Sequence, residues 1–158
     1  IGLECEYFPR YFDWLKTTQL ITNIELKTGV FEYEGIEAKL VALVKEYGLE
    51  EQVWYSSFNH HTIARLRELL PSAKCGLLMD TWLMNVGAYA ASQGAATVNA
   101  CSFFAAKEGV AEDLHAHGVG LQAWTPNEVE LMQKLVDRGV DVLITNFPDR
   151  AAKILGRA

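Results

Sequence analysis

Short apolar runs rich in β-branched residues alternate along the chain with longer stretches whose apolar positions recur every three or four residues, and the alternation repeats six times. The first long stretch, Tyr7 to Thr17, predicts a helix with Phe8, Phe12 and Leu15 on its apolar face and Pro9 in its first turn. A strand is expected at Ile21–Leu26, then a polar and aromatic loop, Thr28–Gly35. Ile36–Tyr47 predicts a helix with Ile36, Leu40, Leu43, Val44 and Tyr47 on one side and Gly48 as its stop. Further strands are expected at Val53–Phe58, Ala73–Met79, Ala96–Ala100, Val119–Trp124 and Val140–Thr145. Between and after them, helices are expected at His60–Leu70, Trp82–Gln93, Lys107–His117 and Glu128–Arg138, the last capped by Asn127, with a short one opened by Pro148 and running to about Leu155.

Six βα units in 158 residues call for parallel strands and right-handed crossovers. An open doubly wound sheet and a (β/α)8 barrel both accept that order. Central strands of an open sheet are apolar on both faces, whereas the first strand carries Asn23, Glu25 and Lys27 on one face. Polar groups on one strand face suit the mouth of a barrel. A barrel has eight strands and typically about 250 residues, so the expectation is a single α/β domain forming a partial TIM-type barrel, six units of eight.

Composition narrows the function classes. Half the residues are hydrophobic and 22% are charged, which excludes a disordered or low-complexity chain. The formal charge is −6 and no basic run stands out, so neither nucleic acid nor an anionic membrane is an expected partner, and an acidic enzyme acting on a phosphate would need a cation. No apolar run approaches the length of a membrane helix. Cys5, Cys75 and Cys101 are odd in number and in no CxxC spacing, which predicts free thiols and leans towards a reducing, cytoplasmic setting.

Glu25 and Lys27 lie two apart at the end of a parallel strand, so they point the same way, towards the end where barrel enzymes place their sites. A carboxylate beside an ammonium could hold a hard divalent cation and a substrate phosphate. The alternative is a partly buried ion pair, with a gross attraction of about 4 kcal/mol at an effective dielectric near 20. Ser56-Ser57-Phe58-Asn59 and Trp124-Thr125-Pro126-Asn127 end two other strands, where Phe58 and Trp124 form either an aromatic wall or ordinary core. His60 and His61 are adjacent, and His115 and His117 sit two apart, so neither pair shares a helix face; contact with a helix C-terminus accounts for the second pair. There is no P-loop, GxGxxG, GxSxG or HExxH.

The string Asn23-Ile24-Glu25-Leu26-Lys27, then Ser56-Ser57-Phe58-Asn59, Trp124-Thr125-Pro126-Asn127 and Gly139 through Asp149, resembles the glycerophosphodiester phosphodiesterase family from about Tyr11 onward. The resemblance implies a barrel that hydrolyses glycerophosphodiesters to an alcohol and sn-glycerol 3-phosphate with a divalent cation, Mg²⁺ or Ca²⁺. It makes Glu25 a metal ligand, Lys27 a phosphate or substrate contact, and Phe58 and Trp124 walls of the substrate pocket. Asn146 and Phe147 stand where the family often has Asp followed by Pro.

The family's early His-Arg-Gly, Glu-Asn-Thr, Glu-x-Asp and His-Asp segments are not in this sequence. They supply the acid–base histidines and the other metal carboxylates, so the six strands correspond to the third to eighth of the family and no catalytic residue is assigned here. The expectation is a phosphodiesterase whose N-terminal portion is missing, inactive alone and prone to dimerise or to bind the missing segment. The alternatives are a non-catalytic barrel remnant that binds or self-associates, and an unrelated phosphate-binding barrel or open sheet.

Overall fold

In the computed structural model, which describes residues 7–157, helices and strands alternate as the hydrophobic pattern requires. The order is α1 (Tyr7–Leu15), β1 (Thr22–Glu25), α2 (Ile36–Tyr47), β2 (Val53–Ser57), α3 (His60–Leu69), β3 (Lys74–Met79), α4 (Val86–Ser92), β4 (Thr97–Cys101), α5 (Ser102–Ala105), α6 (Val110–Ala116), β5 (Gly120–Trp124), α7 (Val129–Asp137), β6 (Val142–Ile144) and α8 (Pro148–Ile154). The chain divides into two compact units, one through Lys74 and one from Cys75 onward.

In the first unit β1 and β2 pair in parallel, Thr22 opposite Val53 and Glu25 opposite Ser56. Burial along β1 and its continuation alternates strictly: Ile24 and Leu26 are buried, while Asn23, Glu25 and Lys27 are exposed. The first apolar stripe does its expected job, with Phe12 and Leu15 fully buried and the Phe12 ring edge-on to Tyr47 at 5.6 Å from Phe8 and 5.5 Å from Tyr47. Gly48 stops α2 with φ 63°, a left-handed conformation that lets its N–H reach the Lys45 carbonyl and that L side chains adopt only with strain.

In the second unit β3, β4, β5 and β6 pair in parallel in that order. One face is apolar and closed, built from Cys75, Leu77, Met79, Val98, Ala100, Leu121 and Ala123. The other carries Thr97, Asn99 and Gln122, also nearly closed to solvent. Gly76, opposite Thr97, has no room for a side chain: a Cβ there would lie 2.5 Å from Asn99 Oδ1 and 2.7 Å from Thr97 Oγ1.

Three expectations need correction. The helix expected over Trp82–Gln93 begins only at Val86, because the Gly87 N–H is held by the Asp113 carboxylate at 2.7 Å and the apolar run Trp82-Leu83-Met84 is an exposed loop, with the Lys107 ammonium 4.3 Å from the Trp82 ring centre. The helix expected from Lys107 begins at Val110 after Gly109, and the unforeseen turn α5 precedes it. Asn127 does not cap α7: its Oδ1 accepts from the Asn146 N–H at 3.2 Å and from Thr145 Oγ1 at 3.3 Å, tying the ends of β5 and β6 instead.

Candidate functional site

The period of two along β1 puts Glu25 and Lys27 on its exposed face at the carboxyl end, as expected. Together with Thr28, Gly29, Val30 and Phe58 they line a cavity of about 290 Å³. Phe58 stands two residues past Ser56, the residue opposite Glu25, and so continues the same face. The structure therefore brings three of the four candidates, Glu25, Lys27 and Phe58, to one cavity. Glu25 and Lys27 pair neither with each other nor with any other described residue, which removes the ion-pair reading. Two opposite charges on one cavity wall, neither engaged, can receive a ligand that carries both signs, such as a phosphate with its counter-cation.

Trp124 belongs to the second unit. Its indole N–H donates to the Asn99 carbonyl at 2.9 Å, its own carbonyl accepts from Ser102 Oγ at 3.0 Å, and its ring is half-buried. Those bonds fix the ring at the end of β5. The peptide bond to Thr125 is cis.

The backbone around Lys27 is held by residues that the sequence reading did not single out. Beyond Glu25 the strand ends, and Ser57 Oγ donates to the Leu26 carbonyl at 2.7 Å while Asn59 Nδ2 donates to the Thr28 carbonyl at 3.2 Å. Thr28 Oγ1 shares a hydrogen bond of 2.7 Å with Thr62 Oγ1, and both residues are buried. Arg65 donates to Thr62 Oγ1 at 3.1 Å and to the buried Glu37 carboxylate at 2.9 Å. The one sequence signal was Asn59 immediately before a helical pattern, where it caps α3 by accepting from the His61 N–H at 3.1 Å.

A larger cavity, about 560 Å³, is lined by Glu32, Glu34, Glu37 and Glu68 around Arg65. Four carboxylates against one guanidinium already paired with Glu37 repel a phosphate, so the smaller cavity is the candidate. His60 and His61 open α3 in the first unit, and neither lines the smaller cavity; the other two histidines make polar contacts within the second unit. His115 Nε2 lies 2.9 Å from Asp141 Oδ2, which also accepts from the Leu121 N–H at 2.7 Å, and His117 Nδ1 lies 2.8 Å from the Asp113 carbonyl. Among the described residues no three His, Cys, Asp or Glu side chains gather into a group that could hold a metal ion. Cys75 is buried and Cys101 half-buried, both as free thiols; Cys5 lies outside the described residues. No helix among the described residues is long and apolar enough to cross a membrane.

Comparison with known proteins sets this geometry in context. The model of the glycerophosphoryl diester phosphodiesterase family matches residues 5–150. A glycerophosphodiester phosphodiesterase from Caldanaerobacter subterraneus subsp. tengcongensis is 34% identical over 138 residues, a match covering 87% of this chain and 56% of that protein. The chain thus spans little more than half the length of that relative. Among solved structures, a glycerophosphodiester phosphodiesterase from Parabacteroides distasonis superposes with a TM-score of 0.86 at 21% identity, covering 94% of this chain and 63% of that one. A phosphodiesterase from Oleispira antarctica, solved with the product sn-glycerol-3-phosphate, superposes with a TM-score of 0.64 at 21% identity over 78% of this chain and 51% of that one. These likenesses show the fold: six parallel βα units of a TIM-type barrel, which decides against the open sheet.

Proposed function

Since the chain belongs to the glycerophosphoryl diester phosphodiesterase family, we propose that it supplies the cation-facing and phosphate-facing part of an enzyme that hydrolyses glycerophosphodiesters. The reaction joins a water oxygen to phosphorus and breaks the ester bond to the alcohol, which leaves with a proton, so that sn-glycerol 3-phosphate and an alcohol result. The observation that carries this reading is that Glu25 and Lys27, which form no ion pair among the described residues, line one cavity with Phe58. Lys27 is placed to meet phosphate oxygens as charge builds on them. Phe58 offers apolar surface to the glycerol or alcohol part.

The family's cation, Mg²⁺ or Ca²⁺, takes about six or more oxygen ligands. Glu25 fits as one of them. The described residues do not complete such a shell, so no step is built on the metal here. The free thiols of Cys75 and Cys101 favour a reducing, cytoplasmic setting for the protein.

The test is release of sn-glycerol 3-phosphate from glycerophosphocholine or glycerophosphoethanolamine with either cation. The 158-residue chain alone should stay at background, because no histidine lines its cavity to give general acid–base help of about 10²–10⁴-fold per group. Adding the family's first two βα units as a separate polypeptide should restore turnover that depends on Glu25 and Lys27. Glu25→Gln should then be partly rescued by more Mg²⁺ or Ca²⁺, and Lys27→Ala should not; equal rescue of both would refute the division of roles. In the second unit the short edge strand β6 exposes Val142, which favours self-association of the isolated chain as a dimer. A monomer at high concentration on gel filtration would count against that.

A further inference from the structure

A lysine that meets a phosphate has a long flexible side chain, and ordering it on binding is costly. What a fold can fix in advance is the backbone that carries it. Past Glu25, where β1 ends, the Leu26 N–H still bonds the Ser56 carbonyl at 2.8 Å and the Thr28 N–H turns back to the Leu26 carbonyl at 3.1 Å. The carbonyls on either side of Lys27 are taken by side chains from the end of β2 and the start of α3. Ser57 holds the Leu26 carbonyl, Asn59 holds the Thr28 carbonyl, and Thr62 holds the Thr28 hydroxyl, with Arg65 and the buried Glu37 fixing Thr62 from behind. Thr62 and Thr28 are closed to solvent, so breaking their bond would leave the Thr28 hydroxyl buried without this partner, while Thr62 Oγ1 keeps the Arg65 guanidinium.

We propose that Asn59 and Thr62 are positioning residues for Lys27: they clamp the Leu26–Thr28 backbone so that the ammonium is presented to an anionic phosphate group at the Glu25 cavity. This rests on the reading of Lys27 as a phosphate contact. The two residues also have separable duties. Asn59 uses its Oδ1 to cap α3 and its Nδ2 to hold Thr28, so Asn59→Ser keeps a cap-type oxygen, adds no charge and removes the amide donor. Thr62→Val keeps volume and removes the hydroxyl, whereas Thr62→Ser keeps the hydroxyl.

The experiment titrates the isotope-labelled chain with sn-glycerol 3-phosphate and follows backbone amide shifts by NMR, with thermal unfolding of every variant alongside. Binding should saturate, and Lys27→Ala should weaken it. Asn59→Ser and Thr62→Val should weaken it by roughly three- to tenfold, the equivalent of one net hydrogen bond, with faster amide hydrogen exchange at Lys27 and Thr28. Thr62→Ser should restore both affinity and protection. If the chain shows no saturable binding, or Lys27→Ala binds as well as the unaltered chain, the reading of Lys27 falls and the clamp with it. If binding depends on Lys27 but Asn59→Ser and Thr62→Val leave affinity and exchange unchanged, or Thr62→Ser fails as Thr62→Val does, the clamp alone is refuted.

Discussion

On one strand face of the second unit, Thr97 and Asn99 are almost wholly closed to solvent and joined at 2.8 Å from Thr97 Oγ1 to Asn99 Oδ1, and Gly76 leaves them the room to meet. On one strand face of the first unit, Asn23, Glu25 and Lys27 are exposed, and among the described residues only Asn23 has a side-chain partner, donating to Ser56 Oγ at 2.9 Å. Both faces alternate polar with apolar residues at the same period, so sequence pattern alone treats them alike. The difference lies in partners. Polar groups that satisfy one another inside a sheet specify its packing, and their loss is felt as instability. Charges left without partners at a strand end add little to stability and are available to a ligand.

Substitutions can break this contrast or sharpen it. The largest effect is expected on the apolar face of the second unit, where Leu121→Ala, at a fully buried site, should cost about 2–5 kcal/mol in chemical denaturation. Next comes Gly76→Ala, which forces a methyl group against Asn99 and Thr97 and should cost about 1–3 kcal/mol. Asp141→Ala removes the acceptor of the Leu121 N–H and the partner of His115, and about 1 kcal/mol should be lost. Smallest of all, Glu25→Gln and Lys27→Ala should each leave unfolding within about 0.5 kcal/mol of the unaltered chain, as exposed unpaired positions do. A loss at Glu25 or Lys27 as large as that at Gly76 would abolish the distinction between the two faces.

The element order was legible because βα periodicity is a local property. The bounds of α2 agree with expectation from Ile36 to Tyr47, where an unbroken amphipathic stripe ends in Gly48. At Trp82-Leu83-Met84 the same kind of reasoning failed, since an apolar run reads as a helix face whether or not it is covered. At Asn127 it failed because a cap-type residue can bond across the fold as readily as to the next turn.

By itself the sequence determined that the strands run parallel, that Glu25 and Lys27 share one side of β1, and which family the ordered motifs resemble, because side-chain alternation and motif spacing are set by the covalent chain. Only the tertiary structure decided that neither charge forms an ion pair among the described residues, that Phe58 joins them at one cavity, and that Asn59 and Thr62 hold the backbone around Lys27. Those are contacts between residues some thirty positions apart. Their partners are selected by packing of β1 against β2 and of β2 against α3, which local propensity does not encode.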